Sequence, residues 1–107
     1  MRKPRVEILY FDGCPNHRAA RELVERVAVE LDIEPETDLV EVRDPESAVR
    51  LRFLGSPTVR VDGRDVEPGA EKRGDFILAC RVYRTERGLS GQPDPGWVRE
   101  ALTEAAA

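Results

Sequence analysis

"VEILYFDGCPNH", Val6 to His17, decides how the rest of the chain is read. Its first six residues are nearly continuous in β-branched, aromatic and aliphatic side chains, and they stop at the turn pair Asp12-Gly13. So little alternation fits a strand covered on both faces, as in a parallel or mixed sheet with helices on either side. Cys14 and His17 then stand three residues apart around Pro15 and Asn16; they are one of two cysteines and the only histidine. Pro15 suits the first turn of a helix, where its missing N–H breaks no hydrogen bond.

Working outward, the period changes from about Pro15 to Leu31. Ala20, Leu23, Val24, Val27, Ala28 and Leu31 recur at the spacing of one helical stripe, with Arg18, Arg21, Glu22, Glu25 and Arg26 opposite. "DLVEVRD" reads as a second strand, and Asp44-Pro45 opens a short helix expected to run to a stop at Gly55. Thr58, Val59 and Val61 make a third strand, and Asp62-Gly63 is the strongest hairpin signal in the chain, turning into Asp65-Val66. Trp97, Val98, Ala101 and Leu102 mark a final helix. The order βαβαββα predicts a small α/β sandwich with a mixed central sheet. An extra segment at about 68–93 fits no element cleanly: Phe76, Ile77, Leu78, Val82 and Tyr83 suggest partial burial around Cys80.

At 107 residues the chain suits one domain, 1–107, with a single modest core. Its 17 basic and 21 acidic side chains leave a formal charge of −4, so no net positive field draws it to nucleic acid or to an anionic membrane. No apolar run approaches the roughly 20 residues that span a bilayer. "MRKPR" opens like a signal peptide, but Glu7 interrupts the apolar stretch after it, and the expected compartment is the cytoplasm. Two cysteines are too few for a disulfide framework there. One histidine excludes a histidine-rich metal cage, and there is neither a Walker-type loop nor G-x-G-x-x-G. Thiol chemistry, a sparse metal site, or no chemistry remains.

If the helix begins near Pro15, Cys14 occupies its N-cap or the adjacent position. Unpaired N–H groups and the helix dipole there favour a thiolate. The dipole supplies about 0.3 to 1 kcal/mol, short of the roughly 2.7 kcal/mol that a two-unit fall in pKa requires. His17, on the same side of the first turn, is the residue expected to add the rest by donating to the sulfur or by being protonated beside it.

"FDGCPNH" after a buried strand and before an amphipathic helix resembles the thioredoxin superfamily, whose active site is C-x-x-C at that junction. Here His17 stands where the second cysteine is expected. "GSPTV" resembles a second element of that superfamily, a cis proline ahead of the hairpin strand that faces the active-site cysteine. The resemblance implies a thioredoxin-like three-layer sandwich, a cis Ser56-Pro57 bond, Cys14 as catalytic nucleophile, and Pro15, Ser56, Pro57 and Thr58 as substrate-binding residues that offer a sheet edge to an extended segment of the substrate. It covers residues 5 to about 67 and resumes in the final helix. The chain is also similar to small bacterial thioredoxin-like proteins grouped with alkylmercury lyases or with selenoprotein relatives.

Three functions are expected. The first is thiol-disulfide oxidoreductase activity, in which Cys14 attacks a protein or low-molecular-weight disulfide and either Cys80 or an external thiol resolves the intermediate, with His17 beside the site and no cofactor. The second is binding of mercury, zinc or copper(I) by Cys14, His17 and Cys80. The third is a non-catalytic thioredoxin-like adaptor with an inert Cys14. The competing reading of Cys80 is core packing beside Ile77 and Tyr83.

Overall fold

In the computed structural model, which describes residues 2–107, the opening stretch forms the central strand β1 (Arg5–Tyr10). It lies parallel to β2 (Glu36–Glu41) and antiparallel to β3 (Thr58–Val61), and β3 turns back into the two-residue strand β4 (Arg64–Asp65). The sheet order is β2-β1-β3-β4. Asp62 and Gly63 both take positive φ at the β3–β4 turn, 49° and 83°, the backbone that a two-residue hairpin with the right twist requires.

Three helices flank this mixed sheet: α1 (His17–Glu30), α2 (Pro45–Arg50) and α3 (Pro95–Ala106). Side-chain alternation along β1 divides the core. Val6 and Ile8 join Val59 and Val61 under α1 and α3, whereas Leu9 points the other way and packs with Val42, Ala48 of α2 and Phe53. The continuous apolar character of β1 is thus explained by apolar layers on both faces. Helix α1 buries Ala20, Leu23, Val24, Val27 and Ala28, all on the expected stripe. Its N-cap residue Asn16 makes no side-chain cap, so packing holds the helix, at about 1.5 to 3 kcal/mol for each large apolar side chain buried.

The structure corrects three expectations. Helix α1 starts at His17, not near Pro15, so Cys14 lies two residues before the N-cap. Helix α2 stops at Arg50, not at Gly55: Arg52 takes a left-handed φ of 55°, its N–H bonds Val49 O at 3.1 Å, and Phe53 N–H bonds Ala48 O at 2.8 Å. That is a Schellman closure built without glycine. Asp32 closes α1 in the same way, with φ 54° and Ile33 N–H on Ala28 O at 2.9 Å. The third correction is to the element order. Between β4 and α3 lie a short 3-10 helix (Ala70–Lys72) and a separate hairpin of β5 (Tyr83–Thr85) and β6 (Gly88–Ser90), so βαβαββα is not the order observed. No helix among the described residues is long and apolar enough to cross a membrane.

Candidate active site

Cys14 comes after the tight turn that ends β1. Its N–H reaches back to Phe11 O at 3.1 Å, and its side chain is wholly buried, with Sγ donating to the Ser56 carbonyl at 3.5 Å. Pro15 is exposed in the next turn. His17, the first residue of α1, does not address the sulfur. Its Nδ1 lies 3.1 Å from the Cys14 carbonyl oxygen, and its ring stacks on Tyr10 with centroids 4.2 Å apart and planes 20° from parallel. The histidine therefore fastens the turn between the end of β1 and the start of α1.

Ser56, Pro57 and Thr58 form the opposing wall, all buried, and the Ser56-Pro57 peptide is cis. Thr58 Oγ1 donates to Gly55 O at 2.7 Å. The edge expected to receive a substrate strand already carries another part of this chain. Ser56 N–H donates to Ala79 O at 2.8 Å, Ser56 O accepts from Arg81 N–H at 2.8 Å, and Ile77 N–H donates to Phe53 O at 2.9 Å. Residues 77–81 therefore run beside residues 53–56, bridged in parallel fashion between Ser56 and Cys80.

That pairing brings the two cysteines together. Cys80 is exposed, not packed in the core, and its backbone bridge to Ser56 puts it near Cys14. Interaction with the neighbouring Cys14 thiol, with slight desolvation as a smaller cause, raises the Cys80 thiol above its ordinary pKa. Both thiols are free. Beside the turn, Phe11, Asp12, Gly13, Glu41, Val42, Arg43 and Leu78 line an open cavity of about 390 Å³.

What holds Cys80 there is its neighbour. Arg81 is a buried cation: Nη1 donates to Thr58 Oγ1 at 3.1 Å and to Asp65 Oδ2 at 2.8 Å, and Nη2 donates to Asp65 Oδ1 at 3.2 Å and to Glu67 Oε1 at 2.9 Å. Its guanidinium also lies 4.3 Å from the centroid of the Tyr83 ring. Burial pulls the guanidinium pKa down, but Tyr83, Asp65 and Glu67 outweigh it and hold the group above its ordinary value. Tyr83 is itself buried, which pushes its phenol up, and its hydroxyl donates to the Pro57 carbonyl. Gln92 Nε2 completes the surroundings by donating to Asn16 O at 2.8 Å, so the loop ahead of α3 is tied to the start of α1.

The sequence singled out Cys14, Pro15, His17, Ser56, Pro57, Thr58 and Cys80, and the structure places them around one turn and one wall. It missed Arg81, Tyr83, Asp65, Glu67 and Gln92. The signal available for the first two was their alternation, i and i+2, in a stretch otherwise read only for its apolar residues. Among the described residues, no cluster of three or more His, Cys, Asp and Glu side chains is arranged to hold a metal ion. No family model, curated protein or solved structure matches the chain.

Proposed function

We propose that the protein is a thiol-disulfide oxidoreductase whose redox couple is Cys14 and Cys80. One observation carries this reading: the Ser56 backbone holds both sulfur-bearing residues, Cys14 through Sγ and Cys80 through the flanking Ala79 and Arg81. Two free thiols brought near each other by one backbone segment can form a disulfide, giving two electrons to a disulfide partner. The thioredoxin-like order of strand, Cys14 turn, helix and cis-proline wall supports the same chemistry, with protein or low-molecular-weight disulfides as partners. Thr58 and Pro57 shape the wall. The second cysteine of the C-x-x-C pattern, absent at His17, has its counterpart in Cys80.

Mild oxidation of the full chain with peptide mass spectrometry of the product tests the reading. The expected product is an intramolecular Cys14–Cys80 link, and turnover with a disulfide substrate is lost in Cys14→Ser. Persistently free thiols, or unchanged turnover in that variant, would refute it. The nearness of the two cysteines also favours a second reading, capture of a soft cation such as mercury or copper(I). Stoichiometric uptake by the reduced protein, lost in Cys14→Ser, is its signature; slow alkylation of both thiols together with no uptake points to a non-catalytic adaptor.

A further inference from the structure

The two sulfurs of this pair are not equivalent to a partner. Cys14 is 0% exposed and its Sγ is already engaged with Ser56 O, whereas Cys80 is exposed, as are Ile77 and Val82 near it, at 55% and 62%. Thiol-disulfide exchange requires the attacking sulfur to approach along the axis of the bond it breaks, so access decides which sulfur takes part. The usual way around a buried site, adding the partner as a strand along the wall, is closed here. Both backbone groups of Ser56 are occupied by residues 79 and 81.

Building on the redox couple proposed above, we infer that Cys80, not Cys14, is the sulfur that exchanges with outside partners, and that Cys14 is the internal resolving thiol. In the oxidising direction the Cys80 thiolate attacks one sulfur of a partner disulfide R–S–S–R′. A Cys80–S–S–R bond forms and R′S⁻ leaves. Cys14, its proton passed to solvent, then attacks Cys80 Sγ; the Cys14–Cys80 disulfide forms, and RS⁻ departs and is protonated. The two protein thiols have lost two electrons and the partner has become two thiols. In the reverse direction an outside thiolate attacks Cys80 Sγ and expels Cys14.

Register also matters. Arg81 fixes the backbone immediately after Cys80, so the exposed sulfur stays within reach of the buried one throughout.

Oxidised glutathione is the probe. Reduced wild-type protein is pulsed with it, quenched in acid at short times and mapped by mass spectrometry, and Cys14→Ala and Cys80→Ser are treated alike. The transient glutathione adduct is expected on Cys80 in the wild type and to persist on Cys80 in Cys14→Ala. Cys80→Ser is expected to form an adduct at least about tenfold more slowly, because access to the remaining sulfur is lost. An adduct on Cys14 in the wild type, or one forming at the wild-type rate in Cys80→Ser, overturns the inference while the redox couple stands, provided the adduct still collapses to the internal disulfide. A stable wild-type adduct that never yields that disulfide removes the couple and the inference with it. The wild-type mapping needs no substitution, so a variant that misfolds does not weaken the test.

Discussion

Two segments meet at Ser56, and they are held there by opposite means. The turn after β1 is secured locally: Cys14 N–H returns to Phe11 O, His17 spans from Tyr10 to the Cys14 carbonyl, and the buried side chains of α1 lock that helix onto the sheet. Residues 77–83 have a thinner apolar anchorage, Leu78 against the Leu9 layer and the buried Tyr83 ring beside Trp97, while Ile77 and Val82 are exposed. Their polar hold is one buried guanidinium shared among Thr58, Asp65 and Glu67, with the Tyr83 hydroxyl on Pro57 O. Apolar anchorage spreads the load over many side chains, so no single change releases it. Ionic anchorage concentrates it, so the position of Cys80 is separable from the core by one substitution.

The sharpest way to break that contrast is Arg81→Met. It takes the guanidinium from Asp65 and Glu67, whose side chains are only 12% and 20% exposed, leaving Glu67 only Arg73 at 3.7 Å, and removing one partner of a buried ion pair typically costs about 3 to 5 kcal/mol. Denaturant titration of the reduced protein should show that loss, and the yield of the Cys14–Cys80 link should fall with it. A loss below about 1 kcal/mol, the range of an ordinary exposed ion pair, would mean that the backbone pairing at Ser56 suffices.

Gly55→Ala probes the same seam with a smaller effect. A Cβ there meets Arg81 Cβ at 2.9 Å and Ala79 O at 3.1 Å, and Gly55 has φ +116°. Both neighbours belong to the segment beside Ser56, and overpacking against atoms that cannot swing aside costs about 1 to 3 kcal/mol. Slower internal disulfide formation with unchanged His17 resonances would show that only the ionic side has shifted.

The mildest test leaves stability alone. Because contact with Cys14 raises the Cys80 thiol, alkylation of Cys80 by iodoacetamide should need a higher pH than an ordinary cysteine does. Deprotonation is the step being opposed, so Cys14→Ala should move the midpoint of the rate profile to lower pH. An unmoved midpoint would separate the two thiols in solution.

The same contrast explains what was legible in the chain. β1, α1, the Asp62-Gly63 hairpin and α3 announce themselves by period and turn chemistry, and Cys14 and Pro57 are placed by those elements. The stop of α1 at Leu31 was legible from the end of its apolar stripe, but that of α2 was not, because Arg52 occupies the left-handed position where glycine is the recognised signal. Residues 68–93 were opaque for a deeper reason. Arg81 reads as a surface charge until Asp65 and Glu67 surround it, and no local pattern records an ion pair between distant residues. Cys80 stands out in the sequence for its chemistry alone; its exposure and its pairing with Ser56 came only with the fold.

The stack of His17 on Tyr10 has one more use. A single histidine gives a single set of imidazole proton signals, and a ring 4.2 Å from an aromatic neighbour experiences that neighbour's ring current, which displaces them from the crowded random-coil region. With Nδ1 resting on the carbonyl of Cys14, those signals move whenever that peptide unit turns. The protein therefore carries its own label-free nuclear magnetic resonance reporter of the Cys14 peptide unit, readable in an unmodified sample.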